Sequence, residues 1–363
     1  MSGSDHISGV RTALVIRYGA LGDAVMVTPV LKLLKQEGYH VTLNCSEYSR
    51  SVYDNNPNVD RFMVHKTGSV PNKQLGEYWD LLGKNFDRVV NLSQSIEGAL
   101  LKVPWDPDYK LSKEELHEKC NKNYYDYTCE IAGFPDSKGE RGELFFSREE
   151  ELWAQEQMKR MKNRFVILWS LSGSSFHKVY HRAEEVAKRF LDRHKMEVKI
   201  ITIGDDVCRL LEWEHSETKN RCGMWSVRKS LVMTKYAHLV VGTETGLLVA
   251  AGTFSTPKIV MMSHASEENL TKYWQNCIPL HSDAACHPCH KLHYSLDTCP
   301  LVPIADAPSE TYDNGNMKFE TRESYPACMA LLKPEALYEA IEQFYLKWRS
   351  SWQVPHNQLQ LQS

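Results

Sequence analysis

The sequence predicts an α/β protein of two doubly wound domains, each built on a parallel sheet, that face each other across a cleft. Three observations predict this fold. The 363 residues are too many for one ordinary hydrophobic core. Short apolar runs alternate with helical patterns along the chain, which is typical of a parallel sheet. The alternation forms two series, separated by a charged, helical stretch at residues 148–163 that we interpret as the connection between the domains.

The first series occupies residues 1–150, which we take as the N-terminal domain. Its predicted strands are residues 12–17, 39–45, 61–65 and 87–92. Residues 24–37 carry apolar side chains at helical spacing, and Gly38 supplies a stop signal. Pro29 lies inside this helix and removes one of its hydrogen bonds, so we expect a kink. A second helical pattern covers residues 113–130.

The second series occupies residues 151–333, the predicted C-terminal domain, and residues 334–363 are predicted to form a helix and a tail. The predicted strands are residues 164–169, 197–203, 237–241 and 257–262. The predicted helices are residues 183–193, 206–214, 226–236 and 246–252. Ligands of open α/β sheets bind beyond the carboxyl ends of the strands. The loops that follow these strands are therefore where we expect a binding site.

Composition narrows the class of protein. The chain has 43 Lys and Arg residues against 46 Asp and Glu residues, which argues against a generally basic nucleic-acid-binding surface. No apolar run approaches the ~18 residues of a membrane span, and the first residues lack the apolar core of a signal peptide. We therefore expect a cytoplasmic protein. In such a protein the ten cysteines are expected to be reduced, buried or metal-bound rather than paired in disulfides.

The first predicted strand runs into the turn Arg17-Tyr-Gly-Ala-Leu-Gly-Asp23. Gly19 and Gly22 permit a tight turn and the close approach of a ligand. Asp23 comes near the start of the next helix, where the helix dipole favours a carboxylate. The residue types leave two interpretations of Asp23 open, a helix cap or a catalytic carboxylate. The turn lacks the third glycine of the dinucleotide-binding fingerprint, so a nicotinamide site is not predicted.

Two loops of the second series have the composition of phosphate-binding loops. The block Gly242-Thr-Glu-Thr-Gly246 opens an alanine-rich helix, whose first N–H groups can hold a diphosphate oxygen. The loop after residues 164–169 is rich in hydroxyl residues and ends in Lys178, a point charge for a diphosphate. The alternatives are a capping box without a ligand and a solvated serine-rich loop.

The turn Arg17–Asp23, followed by Val27-Thr-Pro-Val-Leu31, resembles the opening of glycosyltransferase family nine, the ADP-heptose:lipopolysaccharide heptosyltransferases and their relatives. Gly242–Gly246 resembles the donor-binding motif of the same family, in the family's order and spacing. The resemblance implies the GT-B fold, in which two Rossmann-like domains face each other. It also implies inverting, metal-independent transfer of a sugar such as heptose from a nucleotide diphosphate to a hydroxyl group, with Asp23 as general base. The alternative is a catalytically inactive scaffold or a sugar-nucleotide-binding protein with this fold.

The resemblance also implies which residues contact the donor. They are Ser172, Ser174, Lys178, Asp206, Trp225, Thr243, Glu244, Thr245 and Gly246. Relatives usually have Asp in place of Glu244 and often a histidine near Val249, so the resemblance leaves the exact sugar and donor contacts of this chain open. The residue types alone leave Asp206 open as a helix cap and Trp225 as a core residue. The acceptor stays open between a glycolipid, a protein and a modified nucleic acid, as does assembly into an oligomer.

Four cysteines in the segment 277–328 have the spacing of a metal site. Cys286, Cys289, Cys299 and Cys328 follow the pattern C-x2-C-x9-C-x28-C, which suits structural zinc or iron. The segment has few long apolar runs, so a bound metal would help to order it. Four thiolates leave no open coordination position, so no catalytic metal is expected. The alternative is four free cysteines.

Overall fold

The computed structural model of the protein describes residues 9–293, 299–303, 309–313, 318–322 and 324–352. The first half of the chain forms a parallel four-stranded sheet in the order β3-β2-β1-β4. Its strands are β1 (Thr12–Arg17), β2 (His40–Ser46), β3 (Arg61–His65) and β4 (Arg88–Asn91). The four strands predicted for this half are confirmed. The central strands β1 and β2 are almost wholly buried, whereas the edge strands β3 and β4 are partly exposed.

Helix α1 (Leu21–Gln36) follows β1 and packs its apolar face into the core below the sheet. Pro29 leaves the Val25 carbonyl without its usual helical donor. The hydroxyl of Thr28 donates to that carbonyl at 2.8 Å. The helix therefore continues through the proline instead of ending there. Helix α2 (Leu75–Gly83) lies between β3 and β4.

The predicted helical stretch 113–130 is two helices, α3 (Lys113–Cys120) and α4 (Tyr124–Ile131). Asn123 caps α4 and interrupts the pattern, and its amide donates to the Asn269 carbonyl at 3.3 Å. The amide of Asn269 donates in return to the Lys122 carbonyl at 2.8 Å. The start of α4 is thus held against a loop from the second half of the chain.

The second half of the chain forms a parallel six-stranded sheet in the order β10-β9-β8-β5-β6-β7. Its strands are β5 (Phe165–Ser170), β6 (Val198–Ile203), β7 (Thr218–Asn220), β8 (Leu239–Thr243), β9 (Lys258–Met261) and β10 (Cys277–Leu280). Helix α5 (Arg148–Arg160) precedes this sheet, and the helices along it are α6 (Ala183–Arg193), α7 (Val227–Tyr236) and α8 (Gly246–Gly252). The prediction of a helix at 206–214 was wrong. Only a short 3-10 turn forms there, at Val207–Leu211.

The last part of the chain adds small elements to this frame. Strand β11 (Leu301–Pro303) pairs antiparallel with β14 (Ser324–Pro326), and β12 (Ser309–Asp313) pairs with β13 (Lys318–Arg322). Helices α9 (Ala327–Ala330) and α10 (Pro334–Trp352) follow. The predicted tail after residue 352 lies outside the described residues. No helix in the described ranges is long and apolar enough to cross a membrane.

The two parallel sheets fall on either side of residue 150, as the alternation of strands and helices predicts. The domain limits at residues 150 and 333 stay a prediction. The α/β fold with parallel sheets is confirmed.

Candidate functional site

A cavity of about 560 Å³ lies where the loops after β1, β5, β6 and β8 meet. Residues from both halves of the chain line it. The predicted site residues in its lining are Gly22, Asp23, Ser172, Ser174, Lys178, Asp206, Trp225, Glu244, Thr245 and Gly246. The loops at the carboxyl ends of both sheets therefore contribute to one site, which is where open α/β sheets bind ligands.

The two sequence motifs touch each other at their glycines. A Cβ atom on Gly246 would lie 2.9 Å from the backbone nitrogen of Gly22 and 2.7 Å from the Cβ of Leu21. Only glycine permits so close an approach of two backbones. Thr245 caps α8, because its hydroxyl accepts from the backbone N–H of Leu248 at 3.4 Å. The motif of the second half is therefore both a capped helix start and a wall of the cavity.

In the first half of the chain, one buried guanidinium serves two carboxylates. Arg17 lies 2.8 Å from the Oδ1 atom of Asp23 and 3.3 Å from the Oε2 atom of Glu97, and it also donates to the Leu92 carbonyl. The other oxygen of Asp23 accepts from the backbone N–H of Ala20 at 2.9 Å. Asp23 thus caps α1 and also lines the cavity, and its catalytic role stays a prediction.

Glu97 is a site residue that sequence analysis missed. Burial raises the pKa of Glu97 above its ordinary value, and the charge of Asp23 raises it further, while Arg17 opposes both. The predicted strand at 87–92 ends on polar residues, and a carboxylate a few positions later was the available signal. Gly19 lies outside the cavity lining. A Cβ atom there would lie 2.8 Å from the Oδ2 atom of Asp23, so Gly19 leaves room for that carboxylate to fold back over the turn.

The carboxylate of Glu244 is occupied by the loop that follows β9. It accepts from the backbone N–H groups of Ser263 at 3.0 Å, Ala265 at 3.1 Å and His264 at 3.2 Å. The Nδ1 atom of His264 lies 2.7 Å from its Oε2 atom. Burial alone would raise the pKa of Glu244, but His264, Lys178 and Ser263 together hold it well below the ordinary value. Glu244 therefore has a definite internal role, and its contact with a donor stays a prediction.

Lys178 is the only lysine or arginine that lines the cavity in the part of the chain that the structure describes. Burial lowers the pKa of Lys178, while the carboxylates of Glu244, Asp23 and Glu97 act in the opposite direction. Thr243 lies outside the cavity lining, and its hydroxyl donates to the backbone carbonyl of Lys178 at 2.7 Å. Thr243 therefore positions the loop that carries the lysine.

The loop after β6 divides two roles between adjacent aspartates. Asp205 accepts from the backbone N–H of Cys208 at 3.0 Å and so caps the short turn. Asp206 lines the cavity with its side chain 82% exposed, which leaves it accessible to a ligand. Trp225 lines the same region and packs edge-on against Trp153, with ring centroids 5.2 Å apart.

Two further lining residues were missed by sequence analysis. Tyr48, from the loop after β2, lines the cavity and is 61% exposed. Partial burial of its hydroxyl raises the pKa of Tyr48, and the charge of Asp205 raises it further. Tyr48 therefore lies on the side of the cavity that Asp205 and Asp206 line. His264 also lines the cavity, directly after the predicted strand at 257–262. A polar residue just past a strand end was the available signal for His264.

The four cysteines of the predicted metal site influence one another. Burial raises the pKa of the Cys328 thiol, and Cys299, Cys289 and Cys286 raise it further. The same neighbours, Cys286 and Cys299, act on Cys289. Thiolates are the kind of ligand that zinc and iron favour. Over the described ranges, however, no group of three or more His, Cys, Asp or Glu side chains is placed to hold a metal ion.

Two parallel α/β sheets with a cavity at the carboxyl ends of their strands match the GT-B class of fold. No protein-family model and no curated protein matches the sequence. The structure is similar to a family 9 glycosyl transferase from Veillonella parvula, with a TM-score of 0.63 and 14% identity over 94% of this chain and 99% of that chain. It is also similar to E. coli ADP-heptose LPS heptosyltransferase II, with a TM-score of 0.57 and 12% identity over 93% and 99% of the two chains.

A third similar structure is the dodecameric, iron-containing heptosyltransferase TibC in complex with ADP-D-β-D-heptose. Its TM-score is 0.55, with 10% identity over 93% of this chain and 77% of that chain. The resemblance stated from the sequence is therefore confirmed in the three-dimensional structure. At these identities the similarity establishes the shared fold.

Proposed function

We propose that the chain is an inverting, metal-independent glycosyltransferase that moves a sugar from a nucleotide diphosphate to a hydroxyl acceptor. One observation carries the proposal. A single cavity holds Asp23 from the first motif, Lys178 from the hydroxyl-rich loop and Gly246 from the second motif. The structurally similar heptosyltransferases are described with ADP-heptose, which supports an ADP-sugar as the first donor to test.

The part of the cavity that the second half of the chain lines has the groups that a nucleotide diphosphate needs. The ammonium of Lys178, with the hydroxyls of Ser172, Ser174 and Thr245 nearby in the lining, would bind the diphosphate oxygens. The exposed carboxylate of Asp206, just past β6, suits hydrogen bonds to ribose hydroxyls. The rings of Trp225 and Tyr48 offer stacking surfaces for the base.

The transfer itself would be a single displacement. The acceptor oxygen attacks the anomeric carbon from the face opposite the diphosphate, and its proton passes to the carboxylate of Asp23. The bond between the anomeric carbon and the diphosphate oxygen breaks, and the diphosphate leaves with the electron pair. Lys178 stabilises the charge that develops on the leaving group. Because attack and departure occur on opposite faces, the anomeric configuration inverts.

The proposal of metal independence follows from the position of Lys178, which supplies a cation to the leaving group. Turnover is therefore expected to be the same in buffer with magnesium and in buffer freed of divalent cations by ion exchange. A requirement for magnesium that no other cation replaces would contradict this part of the proposal.

Donor screening tests the proposal directly. The purified chain is incubated with ADP-heptose, UDP-glucose and GDP-mannose, and binding is read as a rise in the midpoint of thermal unfolding. Release of the nucleotide diphosphate is then measured with glycolipid, protein and modified nucleic acid acceptors in separate arms. Release that requires Asp23 supports the enzyme. Binding without release in every arm favours the catalytically inactive, sugar-nucleotide-binding alternative, and no binding contradicts the whole proposal.

We further propose that Cys286, Cys289, Cys299 and Cys328 hold a structural zinc or iron ion. The electrostatic influence of the four thiols on one another supports this, as does the iron content of the structurally similar TibC. Such a metal would order the segment 277–328 without taking part in the transfer. Elemental analysis of untagged protein tests it, with Cys286→Ser and Cys208→Ser compared. Less than about a tenth of a metal equivalent per chain would show that these cysteines are free thiols.

The oligomeric state of this chain is a further point, on which one similar structure bears. TibC is described as dodecameric, and we include an oligomer of this chain in the proposal. Light scattering coupled to gel filtration measures the mass in solution. A mass near the 41.8 kDa of one chain would exclude an oligomer under those conditions.

A further inference from the structure

A tyrosine in the cavity wall has a hydroxyl group without a hydrogen-bond partner among the described residues. Tyr124, the first residue of α4, lines the cavity and is only 4% exposed. Its hydroxyl is buried and forms no hydrogen bond with any residue that the structure describes. Buried polar groups are almost always paired, and an unpaired group in a native fold calls for an explanation. A ligand in the cavity would supply the missing partner.

The surroundings of Tyr124 indicate which ligand chemistry fits. Burial raises the pKa of Tyr124, and the neighbouring Glu244, Cys120, Glu97 and Asp23 raise it further. The hydroxyl therefore stays protonated and is a hydrogen-bond donor. The carboxylates of Glu244, Glu97 and Asp23 also act on Lys178, but Tyr124 adds no positive charge that would offset them, so a neutral group suits its hydroxyl better than a diphosphate. A neutral, polyhydroxylated ring can accept from Tyr124 and donate to the carboxylates of Glu97 and Asp23.

The tyrosine is also held firmly in place. Its backbone N–H donates to the Asn269 carbonyl at 3.0 Å, and its own carbonyl accepts from the Thr128 hydroxyl at 2.7 Å. Its ring belongs to the hydrophobic core that includes α1 and α8. The hydroxyl cannot swing out to water without breaking these contacts. It is thus a preorganised donor, which costs little further ordering when a ligand binds.

We propose that the Tyr124 hydroxyl donates a hydrogen bond to an oxygen of the transferred sugar and so helps to select the donor. The inference rests on the proposed function, since it assigns the sugar part of the nucleotide sugar to the region between Tyr124, Glu97 and Glu244. The diphosphate lies at Lys178, and loss of the Tyr124 hydroxyl therefore affects binding of the sugar and not of the nucleotide.

The neighbouring tyrosine provides a matched control. Tyr125 is on the same helix and is 1% exposed, and its buried hydroxyl lies beside the backbone of Gly142 and the side chain of Trp274. It does not line the cavity. Its hydroxyl points to the core instead, and a Cβ atom on Gly142 would lie 3.0 Å from it. Tyr124→Phe and Tyr125→Phe therefore delete the same atom from the same helix, once inside the site and once outside it.

Calorimetric titration of wild type and both variants tests the proposal. The probes are whichever of ADP-heptose, UDP-glucose and GDP-mannose wild type binds, and the matching nucleoside diphosphate. Tyr124→Phe is expected to bind the nucleotide sugar roughly threefold to tenfold more weakly, the scale of one neutral hydrogen bond. Its affinity for the diphosphate alone should be unchanged. Tyr125→Phe should match wild type with both probes.

Three results would overturn the inference. They are unchanged affinity for the nucleotide sugar in Tyr124→Phe, an equal loss for sugar and diphosphate, and the same loss in Tyr125→Phe. Thermal unfolding separates a merely structural role, because a hydroxyl without a partner contributes no bond and its removal should not lower the Tm. A wild type that binds none of the probe pairs contradicts the proposed function itself. Normal wild-type binding with an unaltered Tyr124→Phe contradicts only the role of Tyr124.

Discussion

The two halves of the site hold their carboxylates in opposite ways. Around β1 and α1, one guanidinium is shared between Asp23 and Glu97, so two negative charges face one positive charge. In the second half, Glu244 accepts from three backbone N–H groups and contacts His264. The pKa values shift accordingly, upward for Glu97 and downward for Glu244.

This difference shows that the position of an acidic residue in a sequence motif does not determine its role. A carboxylate whose lone pairs are taken by the protein stabilises the fold, whereas one with spare acceptor capacity in a cavity can bind or take a proton. Substitution of the two kinds should therefore change different quantities. The following four predictions test that separation, from the largest expected effect to the smallest.

Asp23→Asn should lower turnover by about 10²–10⁴-fold, the usual contribution of a general base, and leave donor affinity almost unchanged. The reason is that the amide keeps the size of the carboxylate but cannot take the proton of the acceptor. Steady-state rates and calorimetric donor titration measure the two effects. Asp205→Asn is the control, because Asp205 lines the same cavity but caps a turn. Near wild-type turnover in Asp23→Asn would show that the base lies elsewhere.

Glu244→Gln should reduce the free energy of unfolding by about 3–5 kcal/mol at neutral pH, because it removes one partner of a buried, hydrogen-bonded pair. A carboxyl group with a lowered pKa stabilises the fold at pH values above about 4.3, the ordinary pKa of glutamate. This stabilisation is lost as the pH falls toward the folded-state pKa. The difference from wild type should therefore shrink in acid. Denaturant unfolding at pH 7 and pH 4 measures it.

The exposed Glu214 offers a control for this substitution, since Glu214→Gln should leave stability unchanged. Equal stability of Glu244→Gln and wild type at pH 7 would contradict the architectural role of Glu244. The same variant tests the prediction from the sequence that Glu244 contributes to donor affinity.

Lys178→Ala should weaken binding of the nucleoside diphosphate by about 1.5–3 kcal/mol, roughly 10- to 150-fold, because a charge-assisted hydrogen bond is lost. Calorimetric titration with ADP, UDP and GDP gives the affinity. Lys188→Ala is the matched control, since Lys188 is an exposed helical lysine paired with Glu184. Unaltered affinity in Lys178→Ala would move the diphosphate to another part of the cavity.

Glu97→Gln should raise stability at neutral pH, by less than about 1 kcal/mol, because it removes one of two negative charges that share Arg17. A carboxyl with a raised pKa stabilises the fold in acid, and that contribution is lost as pH rises through its folded-state pKa. Wild type and variant should therefore converge at low pH. The Tm measured from pH 4 to pH 8 tests this.

The same variant sharpens the assignment of the base. If Asp23 takes the proton, Glu97→Gln keeps most of the turnover. A loss as large as that of Asp23→Asn would assign proton transfer to Glu97 or to the pair.

Much of the fold follows from local pattern. The strands at 12–17 and 198–203 are short apolar runs between helical stretches, and a parallel sheet buries nearly all of their residues. The prediction at 206–214 shows the limit of local pattern. That stretch has a helical composition, but only a short turn forms, at Val207–Leu211.

The residues of the cavity likewise fall into those that the sequence singled out and those that it did not. Asp23, Lys178 and Asp206, which the sequence and its family resemblance single out, each follow a strand of a parallel sheet and line the cavity, and their roles stay predictions. The sequence did not distinguish Tyr124 from Tyr125, since adjacent residues of the same type have the same propensity. Tyr124 lines the cavity and Tyr125 does not, and this depends on how the backbone turns and on what packs against it.

Contacts between the halves were decided by tertiary structure alone. Gly22 and Gly246 approach within backbone contact, and Glu97 and Tyr124 join the same cavity, although no local pattern relates these positions. Periodicity in a sequence reports which face of an element is buried, but not which distant element covers it. That pairing depends on the path of the whole chain, and it is what gathers separately predictable loops into one site.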